Sequence, residues 1–402
     1  MTKDNEIKRR SFLKIGMTGL AGIGLASQTY SSAASEEVSV NSKITTRVLG
    51  KTGIEVPVVS MGVMNADNPA LVAAALDSGI KFLDTAWGYQ RGRNEEMIGK
   101  VIKGKPRDSY YIATKVPGSP RDRRTGNLTA ETDPQVFHEW FDQSLNRLGL
   151  EYVDILHLHN VKRKEDTMFE PLMKAMEKEK NQGRAKFLGI STHSNEPEVI
   201  NAMVDTDFYD VVLTGYNFQK DYIAELDESI ARAAGAGMGI IAMKTQAGVY
   251  WDKEKTDMIN MKAALKWALK NTNIHTAIPG FTTFDQMKLD VSVMENLELT
   301  EEEIRDLRLD QGMAGLYCQQ CEKCLPACPR NLPVPDIMRS YMYAYGYRNI
   351  QAAYDLLKEL NLPENPCSGC LSCGVQCAKG FSVKNRIKDI TRLQSLPAEL
   401  LS

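Results

Sequence analysis

The chain has 402 residues, 43% of them hydrophobic, and a formal net charge of -2 at pH 7. It is longer than one average domain, so we expect one large domain and one small one. Charges of both signs are mixed without long runs, which argues against nucleic-acid binding and favours small molecules and other proteins as partners. Beyond the N-terminus no apolar stretch reaches about 18 residues, so no membrane span is expected in the mature form.

The N-terminal segment resembles a twin-arginine export signal. The pair Arg9-Arg10 precedes an apolar run rich in Gly and Ala, and small residues continue through Ser35. We therefore predict a signal peptide over residues 1–35, cleaved near Ala34 and recognised by the twin-arginine export machinery. That machinery moves folded proteins, so the mature chain is expected in the periplasm or another extracytoplasmic space. An ordinary basic start and an uncleaved anchor are the alternatives.

Eight short apolar, β-branched runs recur before residue 281, separated by amphipathic helical patterns such as Pro134–Leu148 and Met258–Leu269. Eight strand–helix repeats predict a (β/α)8 barrel over residues 44–300. The alternative, a doubly wound open sheet, lacks a Gly-x-Gly-x-x-Gly fingerprint after the first run. The runs are Val56–Val63, Ile80–Ala86, Tyr110–Val116, Val153–His159, Ala185–Thr192, Tyr209–Asn217, Met238–Thr245 and Ile274–Gly280.

Polar residues close the second, third and fourth runs. Asp84 lies near the end of the second run and Tyr89 follows it, Lys115 closes the third and His159 the fourth. The carboxyl ends of barrel strands share one rim, so these side chains are expected to meet there. Taken singly, each also has an ordinary role as a turn residue, a loop aromatic, a solvated lysine or a core histidine.

This ordered set resembles the aldo-keto reductase superfamily over residues 44–300. The resemblance implies that Tyr89 is the general acid toward a substrate carbonyl, that Lys115 tunes it and that Asp84 anchors Lys115. His159 would position the substrate, a small carbonyl compound or alcohol. A lysine ammonium beside the tyrosine hydroxyl is expected to lower the pKa of Tyr89 from about 10.

The resemblance also implies a dinucleotide site, which the sequence matches in part. Ser191 corresponds to a carboxamide contact, and Thr282 and Thr283 begin a helix whose hydroxyls and N–H groups can meet a phosphate. Gly280 and Gln286 stand where the family places basic residues. Among NAD(P) cofactors, NAD is therefore favoured over NADP.

Two further departures concern the nicotinamide ring. Met243 replaces a stacking aromatic, and Leu213 replaces a glutamine that binds the carboxamide. A flavin is an alternative cofactor, and Lys244 is a cation that could recruit a different anionic ligand.

All eight cysteines lie in two runs with the same Cys-x2-Cys-x2-Cys-x3-Cys spacing, which is typical of [4Fe-4S] clusters. As in two-cluster ferredoxins, the fourth cysteine of each run is expected to bind the other cluster. Zinc and disulfides are the alternatives. The predicted sets are Cys318, Cys321 and Cys324 with Cys377, and Cys367, Cys370 and Cys373 with Cys328.

Helix-forming residues between the two runs predict a small, mainly α-helical ferredoxin-like domain over residues 305–395. A barrel with such a tail resembles a subgroup of aldo-keto reductase relatives. The leading hypothesis is an exported oxidoreductase whose clusters exchange electrons with a redox protein partner. The alternative is a barrel without catalysis that acts as a binding or electron-transfer module, with structural or redox-sensing clusters.

Overall fold

The computed structural model describes residues 44–122, 125–252, 255–309, 316–370 and 372–397. The predicted signal peptide, residues 1–35, lies outside these ranges. None of the helices in the described ranges is long and apolar enough to cross a bilayer. The domain limits at 44–300 and 305–395 stay predictions.

The described residues contain ten strands, eight of which form one parallel barrel. They are β1 (Thr46–Val48), β2 (Glu55–Pro57), β3 (Met61–Gly62), β4 (Phe82–Asp84), β5 (Tyr111–Val116), β6 (Val153–Leu158), β7 (Ala185–Thr192), β8 (Val211–Gly215), β9 (Gly239–Met243) and β10 (Thr276–Ala277). Strands β3 to β10 pair in chain order. The Ser60 N–H donates to the Ala277 carbonyl oxygen at 2.8 Å and joins the two ends of the sheet. The predicted (β/α)8 barrel is confirmed, and each predicted run contains one of its strands.

Helices follow the barrel strands and continue into the C-terminal segment. They are α1 (Pro69–Asp77), α2 (Arg93–Ile102), α3 (Pro134–Leu148), α4 (Lys164–Thr167), α5 (Glu170–Asn181), α6 (Glu196–Thr206), α7 (Ile223–Gly235), α8 (Met261–Lys270), α9 (Phe284–Ser292), α10 (Glu301–Asp306), α11 (Val334–Tyr345), α12 (Ile350–Glu359) and α13 (Val383–Ile390). Helix α8 begins three residues later than predicted, because the Asn260 side chain caps it by accepting from the Ala263 N–H at 3.0 Å.

Local sequence sets the bounds of α3, which agree with the prediction. The Asp133 carboxylate accepts from the Gln135 N–H at 2.8 Å, and Pro134 takes the first helical position, where no N–H is needed. Gly149 ends the helix with a φ of 66°. This left-handed conformation costs glycine little, so the helix stops there.

The barrel interior has an apolar lower layer and a polar upper layer. Residues two positions apart on a strand face the same side. Phe82 and Ala113 lie in the apolar layer, so Asp84 and Lys115 point inward directly above it. His157 holds the equivalent position on β6.

An antiparallel hairpin that the sequence analysis missed closes the bottom of the barrel. Strands β1 and β2 pair with each other and not with the barrel. Leu49, Ile54 and Val56 of this hairpin pack into the lower apolar layer. Each fully buried aliphatic side chain of this kind contributes about 1.5–3 kcal/mol. The interior is therefore filled from below, and ligands can approach from the carboxyl ends of the strands.

The C-terminal segment has its own core, and it packs over those carboxyl ends. Helices α11, α12 and α13 share a core that includes Ile337, Leu357 and Ile387. Lys162, which follows β6, donates to Asp336 of α11 at 2.7 Å, and these side chains are 5% and 7% exposed. Further polar contacts at this mouth are Asn195 with Glu322 at 3.2 Å, Lys379 with Asp221 at 2.7 Å, Arg91 with Asp355 at 2.9 Å and Asn349 with Asn65 at 2.8 Å.

A glycine on β7 makes room for the His157 ring. A Cβ atom at Gly189 would lie 2.5 Å from His157 Nδ1 and 2.5 Å from the Val211 carbonyl oxygen. The ring is enclosed in the barrel and the carbonyl belongs to the neighbouring strand, so neither can move away easily.

We expect Gly189→Ala to lower the free energy of unfolding by about 1–3 kcal/mol, the usual cost of overpacking a filled interior. Denaturant unfolding measures this value. Gly235→Ala, at the end of α7, is the matched control, because nothing lies within 4 Å of its Cβ position. It should change stability by less than about 1 kcal/mol, in the stabilising direction. Equal stabilities of the Gly189→Ala variant and the wild type would contradict the packing described.

Candidate active site and cluster cavities

The structure brings together the four residues predicted to be catalytic. Lys115 Nζ donates to Asp84 Oδ2, to the Thr85 carbonyl oxygen at 2.6 Å and to Tyr89 Oη at 3.3 Å. The His159 ring meets the Tyr89 ring edge-on, with centroids 6.0 Å apart. The lysine, the tyrosine and the histidine therefore surround one point at the rim.

A strained turn after β4 holds Tyr89 in this place. Gln90 and Arg91 have φ values of 51° and 57°, in the left-handed region that residues other than glycine seldom adopt. The Gln90 side chain donates to the carbonyl oxygens of Met64 at 3.2 Å and Ala66 at 3.1 Å. These bonds fix the turn against the loop after β3.

Lys115 and Asp84 form a buried ion pair, with side chains 1% and 2% exposed. Burial raises the pKa of Asp84 and lowers the pKa of Lys115, and their mutual attraction opposes both shifts. An unpaired charge at either position would be costly in this interior, so each residue needs the other.

The expected lowering of the Tyr89 pKa is wrong, because its net shift is in the opposite direction. The pKa of Tyr89 is raised, first by burial and then by the negative charge of Asp84, and Arg339 of α11 opposes the rise. Burial disfavours the phenolate more than nearby cations favour it. Tyr89 is therefore protonated at neutral pH, which is the state a proton donor needs.

Three histidines near the strand ends have lowered pKa values. The pKa of His157 is lowered to about 3 by burial and then by Lys115. Burial also lowers the pKa values of His159 and His193, and Arg339 adds to both effects. All three rings are therefore neutral at pH 7, and each offers one N–H donor and one acceptor.

Helix α11 brings Arg339 to this rim, a residue that the sequence analysis missed. Arg339 is 5% exposed, and Nη2 donates to Asp336 at 2.5 Å and to Gln320 Oε1 at 3.2 Å. Tyr343, one turn further along, has a pKa raised to about 12, first by burial, with Arg339 opposing and Tyr89 adding to the rise. Asp336 and Arg339 are the two charged residues of α11, spaced three apart among apolar residues. That spacing is a signal of a buried ion pair.

The residues predicted to hold a dinucleotide fall into two groups. On β7, Ser191 Oγ accepts from the Asn160 N–H at 3.0 Å. After β10, Gln286 Oε1 accepts from the Thr282 N–H at 2.9 Å and from its hydroxyl at 3.3 Å. The Gln286 N–H donates to Thr283 Oγ1 at 3.2 Å.

The fit to a dinucleotide phosphate is therefore poor. The Thr282 and Gln286 N–H groups at the start of α9 are paired within their own loop, and the first turn carries the acidic residue Asp285. Gly280 adds no side chain, and its Cβ position would lie 3.4 Å from the Gly62 carbonyl oxygen. Met243 and Leu213 pack with the lower apolar layer.

The eight cysteines are free thiols and line two cavities. The inner cavity is bounded by Cys318, Cys321, Cys324 and Cys377, together with Asp221 of the barrel. The outer cavity is bounded by Cys328, Cys367, Cys370 and Cys373, with Val334, Val375 and Val383 beside them. Each cavity thus combines three thiols of one run with the fourth thiol of the other.

This donor set fits two [4Fe-4S] clusters. Four thiols and an apolar wall are what such a cluster needs, and the crossed arrangement is that of two-cluster ferredoxins. Across the described part of the chain, no three His, Cys, Asp or Glu side chains are grouped to hold a single metal ion. In the outer cavity Cys373 is exposed.

Comparisons with known proteins agree with this architecture. The sequence profile of the Aldo/keto reductase family matches residues 62–263, half of the chain, and that of the 4Fe-4S dicluster domain matches residues 317–382. The protein therefore belongs to the aldo/keto reductase family and is an oxidoreductase with an added dicluster domain.

Individual relatives resemble the barrel. L-galactose dehydrogenase of Arabidopsis thaliana is 27% identical over 294 residues, covering 64% of this chain and 90% of that protein. L-glyceraldehyde 3-phosphate reductase of Escherichia coli O157:H7 is 26% identical over 328 residues, covering 67% and 92%. A solved aldo-keto reductase of Bacillus halodurans has the same fold, with a TM-score of 0.54 at 24% identity, over 69% of this chain and 99% of that one.

The crossed cavities predict which thiols share a cluster. Cys377→Ser with Cys321→Ser alters one cavity, so this double variant should keep about half of the iron and sulfide of the wild type. Cys377→Ser with Cys370→Ser alters both cavities and should lose nearly all of it. Metal and sulfide analysis after anaerobic purification measures both. If each run of cysteines instead held its own cluster, the double variant Cys377→Ser with Cys370→Ser would keep half of the iron and sulfide.

The lowered pKa of His157 predicts a loss of stability in acid. The unfolded state binds a proton near pH 6.5 and the folded state only near pH 3, so stability is full above pH 6.5 and falls as the pH drops. Between pH 7 and pH 5 the protonation of this residue in the unfolded state should lower the free energy of unfolding of the wild type by up to about 2 kcal/mol. His157→Gln should remove that part of the slope in denaturant unfolding. From pH 7 to pH 8 the difference between the two proteins should stay constant, and parallel slopes below pH 6.5 would rule the explanation out.

Proposed function

We propose that the protein interconverts a small carbonyl compound and its alcohol at the barrel mouth and exchanges the electrons through two [4Fe-4S] clusters. The observation that carries the proposal is the protonated Tyr89, 3.3 Å from the buried Lys115 Nζ, at the mouth over which the cysteine-bearing segment packs. No other set of described side chains combines a proton donor, a paired cation and neutral histidines at one rim.

Each rim residue has a chemical task in this proposal. Reduction of a carbonyl to an alcohol takes up two electrons and two protons. One proton goes to oxygen, and the other goes to carbon together with both electrons as a hydride, which an organic two-electron carrier such as a flavin would supply after accepting single electrons from the clusters. Tyr89 gives one proton to the carbonyl oxygen, and Lys115 stabilises the phenolate that remains. Asp84 holds Lys115 charged, and neutral His159 orients the carbonyl by hydrogen bonding. Each cluster, when bound, supplies or accepts one electron, so a redox protein that carries single electrons is the proposed partner.

The two cavities have different neighbours, which supports one route for the electrons between the barrel and a redox partner. Asp221 of the barrel lines the inner cavity, and Lys220 Nζ donates to the Gln319 carbonyl oxygen at 3.3 Å beside it. The outer cavity contains the exposed Cys373 and is lined by C-terminal residues. We therefore place contact with the redox partner at the outer cavity and contact with the barrel at the inner one.

The N-terminal sequence supports export of the folded protein by the twin-arginine machinery, with cofactors inserted beforehand. Nicotinamide nucleotides would then have to travel with the protein. The internal pairing of Thr282 with Gln286 argues against a role for these nucleotides in the proposed reaction. A flavin stays the alternative organic cofactor.

A second candidate function is a barrel without catalysis that binds a ligand and carries structural or redox-sensing clusters. The pairing of Thr282 with Gln286 after β10 favours this non-catalytic function, and so do the apolar residues Met243 and Leu213. The ion pair of Lys115 with Asp84 favours the enzyme, because a buried pair of this kind is costly to keep unless it has a task.

Tyr89→Phe should lower carbonyl reduction by about 100-fold to 10,000-fold, the usual contribution of a general acid. Iron and sulfide content should stay unchanged. The assay follows oxidation of reduced methyl viologen by DL-glyceraldehyde, with the cluster-loaded full-length chain. Tyr111→Phe, at the opposite end of β5, is the control and should keep wild-type turnover.

Retained turnover in Tyr89→Phe would sink the proton-donor assignment. A wild type that reduces neither this aldehyde nor a panel of ketones and oxo acids, despite intact clusters, would instead favour the non-catalytic barrel.

A further inference from the structure

We infer that the substrate carries an anionic group, a carboxylate or a phosphate, which Arg339 and Lys244 bind together at the barrel mouth. This inference rests on the proposed function and adds the substrate class to it. The two cations come from different parts of the fold, one from the C-terminal domain and one from the end of β9.

Arg339 has an unused donor in a buried place. Its Nη2 is engaged by Asp336 and Gln320, whereas its Nε is buried without a hydrogen-bond partner among the described residues. Buried guanidinium donors are rarely left unpaired, because the lost hydration must be replaced. A single unpaired N–H of a guanidinium is also a strong donor to an oxygen of a carboxylate or a phosphate.

Lys244 is held in an uncommon backbone conformation, and its amine has no direct partner among the described residues. Its φ is 57°, and the Asn217 side chain donates to its carbonyl oxygen at 3.1 Å. Within the described ranges its ammonium forms no hydrogen bond and no ion pair. Burial lowers the pKa of Lys244 to about 7. The positive charges of Arg339 and Lys220 add to this effect, and the negative charge of Glu196 opposes it. A bound anion would relieve that repulsion.

His193 adds a neutral donor or acceptor to the same place. It is 7% exposed, its Nδ1 has no partner among the described residues, and Arg339 and Lys244 both help to lower its pKa. Because Arg339 also acts on Tyr89 and His159, the anion would be bound close to the proposed proton donor.

The neighbouring charges do not cancel. Lys162 and Arg339 share the single carboxylate of Asp336, and Lys220 is paired with Glu196. Glu322 is close to Lys162 and Arg339, although burial raises its pKa and weakens its negative charge. Lys244 therefore has no carboxylate of its own among the described residues, although Glu196 attracts it from a distance. It also lies near Cys318, so a counter-charge for the inner cluster is the rival explanation.

The test compares charged and neutral substrates that share one carbonyl. The probes are 2-oxobutanoate, its methyl ester, and erythrose with and without its 4-phosphate, each with the cluster-loaded full-length chain. The wild type should have a KM for one anionic probe at least about tenfold below that for its neutral counterpart, as expected for a charged hydrogen bond. A low KM for 2-oxobutanoate would indicate a carboxylate site, and a low KM for erythrose 4-phosphate would indicate a phosphate site.

Lys244→Met should raise the KM for the preferred anionic probe about tenfold to a hundredfold with little change in kcat. The KM for its neutral counterpart should stay the same. Lys244→Arg should restore most of the difference. Lys174→Met, on the outer helix α5, is the matched control. The reduction potential of the inner cluster, followed by electron paramagnetic resonance, should be the same in Lys244→Met and the wild type.

Three results would overturn the inference. The first is equal KM values for charged and neutral probes, and the second is an equal change of both KM values in Lys244→Met. The third is a shifted reduction potential of the inner cluster in Lys244→Met with unchanged KM values. The last of these would establish the counter-charge. Calorimetric titration with 2-oxobutanoate and with inorganic phosphate is independent of turnover. Even a protein that reduces no carbonyl would support the inference if it bound one of these anions and Lys244→Met did not.

Discussion

The carboxylate of Asp336 accepts hydrogen bonds from two cations, Lys162 of the barrel and Arg339 of its own helix. All three side chains are buried, so none can turn to water without leaving another charge unmatched. This constraint fixes α11 over the carboxyl ends of the barrel strands. It makes the cysteine-bearing domain a wall of the active site, and it places a guanidinium among the rim histidines.

Burial also decides the chemistry at the rim. Apolar side chains of the barrel strands and of the β1–β2 hairpin fill the lower part of the barrel. The polar side chains above them are therefore poorly solvated. There the ion pair of Lys115 with Asp84 is strongly coupled, the histidines stay neutral, and Tyr89 keeps its proton. A tyrosine that resists ionisation suits the donation of a proton to an oxygen that becomes negative during reduction.

Patterns of nearby residues were enough to predict most of the fold. Short apolar, β-branched runs located all eight barrel strands, and an amphipathic pattern located α3 over Pro134–Leu148. Strand-end positions also brought Asp84, Tyr89, Lys115 and His159 together. The regular cysteine spacing predicted the crossed sets, because a short loop can present three thiols to one cavity and must leave the fourth for another.

What the sequence did not reveal depends on contacts between distant parts of the chain. Lys162 and Asp336 are 174 residues apart, and nothing local to either marks the other as its partner. The hairpin of β1 and β2 has strands of three residues, too short for a clear alternation. The pKa of Tyr89 is raised because burial and the charge of Asp84 outweigh the charge of Arg339, and burial at a rim depends on what covers it. Here the cover is a domain whose docking no local pattern could specify.

The crossed pairing of thiols has a consequence for how the protein matures. Cys328 precedes α11, whereas the three thiols that share its cavity follow α12, so the outer cavity ties together the two ends of that helical pair. Metal binding at such sites supplies folding free energy as well as redox capacity. Delivery of iron would then strengthen the helical pair that carries Arg339, in addition to the anchor between Asp336 and Lys162.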